Sequence, residues 1–308
     1  LFNEKFKGVL AAAQKLCSSA IFDCGQTHSH PRYALNLMPT LVIFKFILKE
    51  GSMNTDIAKK LDQVIQLLQL SLLAQRVNTL SDQRILSFNV NGNTIRMSLP
   101  DAQCDFIQRV ILQTNHFFEA ALLSQVAKMG LIKPDTVVCD IGANIGNHSV
   151  YFGRILGAQT VLSCEPQAHV YSTLQQNLEL NGLTTGNAFN VMLGSTSGRG
   201  EVAHFESLNH GATKLKTSTD GPIEMVTLEK LTASYGPVGF LKLDVEGFEA
   251  SVLAGAERIL SKDRPTIWVE LTVQHGEENV EATRSILEAH GYTEQRKLSP
   301  TDFIYSPK

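Results

Sequence analysis

The chain has 308 residues, of which 43% are hydrophobic and 19% are charged, so it can bury a full α/β core and has an ordinary globular composition. The 27 Lys and Arg residues against 30 Asp and Glu residues leave no basic surplus, which argues against a nucleic-acid partner. The longest apolar run, LMPTLVIFKFIL, is interrupted by Lys45 and is too short to span a bilayer, so we expect no membrane partner.

The first residues of the chain admit two interpretations. Gly51-Ser52-Met53 resembles a cloning junction followed by a native start at Met53, which would make residues 1–52 a fusion, a leader or a tag. The alternative is a natural Gly-Ser loop. Charged residues occur early in the chain, at Glu4 and Lys5, so the start does not resemble a secretory signal.

Residues 53–117 are predicted to form an extension that contains a helix and a β-hairpin. Asn54 can cap the helix, whose apolar residues then recur at helical spacing as far as Leu68. The segment ILSFNVNGNTIRMSL has two β-type runs around Asn91-Gly92, the favoured two-residue hairpin turn.

Residues 118–308 are predicted to form one α/β domain. A helix in NHFFEAALLSQVAKMG ends at Gly130, and strand-like and helical runs then alternate. The strand candidates are TVVCDIG, TVLSCEP, AFNVML, GFLKLDV and PTIWVEL; the helical runs are HVYSTLQQNLELNG, GFEASVLAGAERILSK and ENVEATRSILEAHG. This alternation predicts a doubly wound, mostly parallel sheet. YTEQRKLS and DFIYSPK are separated by a short turn only, which predicts an antiparallel pair at the edge of the sheet.

The five cysteines include no CxxC pair, and Cys139 and Cys164 stand within apolar strand-like runs. Cysteine in such runs mostly behaves as a small core residue. We therefore expect inert thiols and a cytoplasmic location.

The segment VVCDIGANIGNHS joins a buried strand to a glycine turn. A dinucleotide fingerprint needs glycine at three positions, but Asn144 and Asn147 occupy the second and third positions counted from Gly142. Asp140 at the strand end would also repel a diphosphate, whereas it suits a cation. S-adenosylmethionine, which carries an ammonium and a sulfonium, fits better.

In this hypothesis Gly142 and Gly146 let the backbone pass close under the ligand, and Asp140 acts on its cationic end directly or through water. Asn144 and Asn147 of the same turn are also predicted to contact the cofactor. Glu165, after the second strand, would accept hydrogen bonds from the two ribose hydroxyls. An acid at that place is shared with dinucleotide sites, so it supports a nucleoside ligand without choosing between the two.

The segments DIGANIGNHSVYF, CEP, VTLEKL and LKLDVEGFEASVLAGAERIL resemble the FkbM-type family of S-adenosylmethionine-dependent methyltransferases. The resemblance runs from about Phe118 to the C-terminus. It implies a seven-stranded, Rossmann-like methyltransferase sheet with an antiparallel edge strand. It also implies O-methylation, often of sugar or natural-product hydroxyls.

The segment GFLKLDVEGFE contains the fourth predicted strand, and Asp244 stands at the end of that strand, where a methyl acceptor would meet the sulfonium. A carboxylate within hydrogen-bond reach can act as general base on a hydroxyl, so Asp244 is the first candidate and Glu246 the second. The two acids could instead hold a divalent metal. No histidine joins them locally to favour a transition metal, and we do not expect a metal at this site. The structural alternative is that Glu246 and Glu249 cap the first turn of the next helix.

Three further residues are weaker candidates. Glu270 ends the fifth strand and could face the acceptor, and His148 follows the glycine turn, where it could serve as a second base. Glu119 lies on the helix before the first strand of the sheet, where the family also tends to carry an acid, and it is predicted to contact the cofactor.

The leading hypothesis is methyl transfer to a hydroxyl of a small molecule, a natural product or a glycan. The alternatives are N-methylation of a peptide or an amine, and a non-catalytic scaffold that binds a nucleoside. The sequence leaves the oligomeric state open, and a homo-oligomer is one possibility.

Overall fold

The computed structural model describes residues 65, 68, 71–80, 84–133 and 135–308. The chain divides into two units, Leu1–Leu72 and Leu73–Lys308, and almost all described residues belong to the second. The junction at residues 51–53 and the predicted helix start at Asn54 lie outside the described residues. Within the described part, residues 71–79 are helical.

The second unit begins with a β-hairpin followed by two helices. Strands β1 (Ile85–Val90) and β2 (Asn93–Ser98) pair antiparallel, and Asn91 and Gly92 both have positive φ, as the predicted tight turn requires. Helices α1 (Phe106–Thr114) and α2 (Ala120–Met129) follow, and α2 ends at Gly130 as predicted.

A seven-stranded sheet forms the centre of the second unit. Its strands in chain order are β3 (Val137–Ile141), β4 (Thr160–Cys164), β5 (Ala188–Phe189), β10 (Val238–Leu243), β11 (Thr266–Glu270), β12 (Tyr292–Lys297) and β13 (Asp302–Pro307). Their order across the sheet is β12-β13-β11-β10-β3-β4-β5. All pairs are parallel except the two that β13 makes, so the predicted antiparallel pair at the edge is confirmed.

Helices cover both faces of this sheet. They are α3 (Asn147–Arg154), α4 (Ala168–Leu180), α5 (Leu228–Thr232), α6 (Glu249–Ala254) and α7 (Glu277–Ala289). Alternate residues of β3 belong to different apolar clusters, with Val138 in one and Cys139 in the other, because successive side chains of a strand point to opposite faces. The doubly wound α/β fold is therefore confirmed.

The hairpin does not stand apart from this core. Phe88 and Ile95 of the hairpin belong to the same buried cluster as Phe152 of α3 and Leu174 of α4. Residues on both sides of the predicted boundary at 117/118 thus share one core. Among the described residues no helix combines the length and the apolarity that crossing a bilayer requires.

One predicted strand is split. AFNVML forms β5 and a separate β6 (Met192–Leu193), and at the break the side-chain amide of Asn190 donates to the carbonyls of Glu165 and Pro166. Strand β6 joins a second sheet of order β6-β9-β7-β8 with β7 (Gly198–His204), β8 (Lys214–Ser218) and β9 (Ile223–Val226). The side chains of β7 in this four-stranded sheet are largely exposed. The sequence of β7 therefore lacks the alternation of apolar and polar residues that predicts a half-buried strand.

The predicted helix over 247–262 is also interrupted. Helix α6 ends at Gly255, where an added Cβ would lie 2.2 Å from the carbonyl oxygen of Gly194. A π-helical turn, Ile259–Asp263, follows. The break lets the end of α6 approach the backbone near β6 closely.

Candidate active site

A cavity of about 210 Å³ opens at the carboxyl ends of β3, β4, β10 and β11. All the site residues predicted from the sequence line it except Asp140 and Gly146; those that do are Glu119, Gly142, Asn144, Asn147, His148, Glu165, Asp244, Glu246 and Glu270. In an open α/β sheet this edge is where ligands bind. Residues that are far apart in the chain therefore meet around one space, although their individual roles stay predictions.

The glycines of the turn make room for the protein itself. A Cβ at Gly142, where φ is +83°, would lie 1.7 Å from the backbone oxygen of Asp244. A Cβ at Gly146, where φ is +84°, would lie 2.7 Å from Leu174 Cδ1. The turn needs glycine at both positions for conformation and packing, whatever the ligand contributes.

Asp140 is fully buried beneath the turn. Its Oδ2 accepts a hydrogen bond of 2.5 Å from Ser149 Oγ, which in turn accepts one of 2.8 Å from Ser163 Oγ. Asp140 was predicted to act on a cationic ligand either directly or through water. Because Asp140 does not line the cavity, this geometry fits a contact through water better than a direct contact.

Glu165 is 4% exposed and holds the turn from the end of β4. Its Oε1 accepts from the backbone N–H of Gln167 at 2.8 Å, and its Oε2 accepts from that of Asn144 at 3.1 Å. Burial raises the pKa of Glu165 to about 7. A carboxylate accepts about four hydrogen bonds, so two acceptor positions are left for a ligand.

Sequence reasoning missed Lys242, which lies on β10 and is only 2% exposed. Its Nζ lies 2.9 Å from Asp244 Oδ2 and 5.6 Å from the centroid of the Trp268 ring. Burial by itself raises the pKa of Asp244, but the Lys242 ammonium outweighs burial and holds it below the usual range. A lysine within an otherwise apolar strand was the available signal.

Glu270 faces the same carboxylate. Burial, and then the negative charge of Asp244, raise the pKa of Glu270 to about 9. At neutral pH the arrangement therefore pairs an ionised Asp244 with a protonated Glu270 that hydrogen bonds to it.

Glu270 should make stability depend on pH. Its pKa rises from an ordinary 4.5 to about 9 on folding, so between these values the folded chain keeps a proton that the unfolded chain has released. Stability must then fall as pH rises. In thermal denaturation, the melting temperature of Glu270→Gln should exceed that of the parent by a margin that grows by several degrees between about pH 5.5 and about pH 8.5. The exposed Glu281→Gln variant should show no such trend; a constant margin in Glu270→Gln would contradict the assignment.

Glu246 and Gly247 form a tight bend with positive φ values of 54° and 102°. Glu246 Oε2 lies 2.6 Å from Nε2 of His275, a residue that the sequence analysis did not single out. Glu249 stands at the first position of α6, but its Oε1 accepts from the backbone N–H groups of Val245 and Gly247, which precede the helix, so it fixes the bend and does not cap the first turn as the structural alternative predicted. Asp244, Glu246 and Glu270 offer oxygens within 4.8 Å of one another, a spacing that a divalent cation could bridge.

Glu119 and His148 meet at another part of the cavity wall. His148 Nε2 lies 3.2 Å from Glu119 Oε2, and the His148 ring packs edge-on against Trp268. Burial raises the pKa of Glu119, but His148 and then the Lys242 ammonium outweigh it, so that pKa lies below its ordinary value. Asn147 exchanges two hydrogen bonds with the backbone of Phe118 and so ties this wall to α3.

Comparisons with known proteins match the sequence of this chain to one family. Residues 140–294 match the methyltransferase FkbM domain. Methyltransferase 1 of Beauveria bassiana is 26% identical over 184 residues, which are 51% of this chain and 72% of that protein. Methyltransferase sdnD of Sordaria araneosa is 26% identical over 190 residues, which are 50% of this chain and 70% of that protein.

Among solved structures, methyltransferase FkbM from Methylobacillus flagellatus KT is 19% identical, with a TM-score of 0.44. That alignment covers 79% of this chain, and this chain spans 59% of the length of that one. Because the family match extends over half of its residues and includes the glycine turn, Glu165, Asp244 and Glu270, the chain belongs to the FkbM family of methyltransferases.

Proposed function

We propose that this methyltransferase takes its methyl group from S-adenosylmethionine and transfers it to a hydroxyl of a small molecule, a natural product or a sugar. The observation that carries the proposal is the position of Asp244. Its carboxylate lines the cavity that Glu165 and the glycine turn also line, and Lys242 keeps it ionised. A base and a nucleoside site therefore face one space.

Two features favour S-adenosylmethionine as the donor. Among the described residues, no Lys or Arg lines the cavity, whereas five carboxyl groups do: Glu119, Glu165, Asp244, Glu246 and Glu270. Glu270 is protonated at neutral pH, but the lowered pKa values of Glu119 and Asp244 keep those two groups negatively charged. This charge suits a sulfonium and opposes a pyrophosphate. A narrower pocket adjoins the cavity and is lined mainly by apolar residues, among them Ile141, Val191, Met192, Leu193 and Phe248. This pocket measures only about 20 Å³, so its apolar walls suit contact with one edge of an adenine ring whose remainder lies in the main cavity.

In the proposed reaction the hydroxyl oxygen attacks the methyl carbon as the bond from carbon to sulfur breaks. The electron pair of that bond stays on sulfur, so the sulfonium becomes the thioether of S-adenosylhomocysteine. The hydroxyl proton passes to Asp244. Transfer is an in-line displacement, so the walls of the cavity contribute mainly by positioning the two reactants.

The ionised carboxylates of the cavity also favour a second candidate, which is transfer to the nitrogen of an amine or a peptide. A cationic amine would be attracted to this lining. Incubation of the protein with S-adenosylmethionine labelled in its methyl group and an extract of its host tests both candidates. Label on a hydroxyl or on a nitrogen decides between them, whereas no labelled product despite donor binding would support the non-catalytic scaffold.

Donor binding is directly testable. S-adenosylmethionine and S-adenosylhomocysteine should raise the melting temperature, since binding to the native state alone stabilises it by about 2.7 kcal/mol at a concentration of a hundred times Kd. NAD should not. In calorimetry, Glu165→Ala should weaken S-adenosylhomocysteine binding by about tenfold to a hundredfold, because it removes the acceptor for the ribose hydroxyls. The exposed Glu179→Ala variant serves as control, and tight binding of NAD alone would reject the donor.

A further inference from the structure

Three amide side chains that line the cavity each have a buried polar atom without a hydrogen-bond partner in the described part of the chain. The atoms are Asn144 Nδ2, Gln167 Oε1 and Asn209 Oδ1. Buried polar atoms of folded proteins nearly always have a partner, and those that lack one call for an explanation. Here all three lie where a ligand would bind.

Two of the three amides contact Glu165 through their backbone, and the third lies close to one of these two. Gln167 and Asn144 donate their backbone N–H groups to its two carboxylate oxygens. A Cβ on Gly211 would lie 2.8 Å from Asn144 Nδ2 and 3.3 Å from Asn209 Oδ1, so those two atoms flank the space that this glycine leaves. Hydrogen-bonding groups thus run from Glu165 through Asn144 to Asn209.

Asn209 belongs to a connection between β7 and β8, residues 205–213, which we name the roof segment. The fully buried Asp105 accepts from the backbone N–H of His210 at 2.9 Å. Gln167 Nε2 donates to the carbonyl oxygen of His210, also at 2.9 Å. The backbone N–H of Phe106 donates to the carbonyl oxygen of Leu208. Asn209 is therefore held between two anchored neighbours, so its side chain has a defined place at the cavity.

We propose that Asn209 binds the methyl donor and, with Gln167 and Asn144, completes a site for its two ribose hydroxyls. This inference rests on the proposed function. Each hydroxyl donates one hydrogen bond and accepts others. Glu165, Gln167 Oε1 and Asn209 Oδ1 offer acceptors for the two protons, and Asn144 Nδ2 offers a donor to a hydroxyl oxygen. The position beside Glu165, rather than beside Asp244, places this set on the donor.

Calorimetry with two ligands tests the inference. S-adenosylhomocysteine contains the whole donor except the methyl group, whereas 5′-methylthioadenosine lacks the amino-acid end but keeps the ribose. Asn209→Leu preserves the size of the side chain but removes the acceptor, so it should weaken both ligands by about tenfold. Asn209→Asp keeps an acceptor oxygen and should recover most of that loss. Asn187→Leu, at an amide outside the cavity lining, should change neither affinity.

Unchanged affinity of Asn209→Leu for both ligands would overturn the inference. A loss for S-adenosylhomocysteine alone would also overturn it, since Asn209 would then contact the amino-acid end. If Asn209→Leu does not fold, Asn209→Ala carries the same comparison. Failure of the parent protein to bind either ligand would instead reject the proposed donor, so the two failures are distinguishable.

Discussion

Replacing Asp244 with asparagine should lower the rate of methyl transfer to a hydroxyl by about a hundredfold or more, the usual contribution of a positioned general base. Donor affinity should stay nearly intact, because Glu165 and the turn are unchanged. The substitution keeps the shape of the side chain, but its amide cannot take the proton of the acceptor. Single-turnover rates and S-adenosylhomocysteine affinity, measured on the same preparation, separate the two effects.

The exposed Asp220→Asn variant is the matched control and should behave as the parent does. Near-normal turnover of Asp244→Asn would remove Asp244 from the chemistry and direct attention to Glu246, Glu270 or His148. A nitrogen acceptor predicts a smaller loss, since a neutral amine needs less assistance from a base.

The three carboxylates of Asp244, Glu246 and Glu270 allow a separate test for a metal. If a divalent cation activates the acceptor, turnover of the parent protein should stop with a chelator and return with magnesium or manganese. If Asp244 acts as the base beside the Lys242 ammonium, turnover should be insensitive to the chelator.

Replacing Gly142 with alanine should destabilise the fold by more than about 4 kcal/mol, a loss typical of severe backbone and packing conflicts. The added Cβ would lie 1.7 Å from the carbonyl oxygen of Asp244, and the φ of +83° is also unfavourable for alanine. The added Cβ would meet backbone atoms of Asp244 and not the end of a flexible side chain, so β3 and β10 would have to move apart. Urea denaturation measures the free energy of unfolding, and loss of soluble protein would agree with the same expectation.

Gly92 provides the control for backbone conformation alone. Its φ of +80° is close to that of Gly142, but an added Cβ would have no neighbour within 4 Å. Gly92→Ala should therefore cost about 1–2 kcal/mol, the penalty for a left-handed conformation without a clash. Equal losses in both variants would show that the contact with Asp244 is unimportant.

Local sequence patterns determined much of this protein. Alternating apolar and helical runs predicted the parallel sheet, and Asn91-Gly92 predicted the hairpin, because side-chain period and turn conformation are properties of short segments. Glu165 and Asp244 were predicted to lie at one site for a related reason, and both line the cavity. The carboxyl ends of parallel strands meet at one edge, so residues that end predicted strands are expected near one another.

The tertiary structure decided which groups interact. It paired Lys242 with Asp244, brought His275 to Glu246, and buried Asp140 against Ser149 instead of exposing it to the cavity. It also separated β6 into a second sheet and placed the roof segment beside the glycine turn. These contacts join residues that are distant in the chain, and ionisation and ligand access depend on such three-dimensional distances rather than on local periodicity.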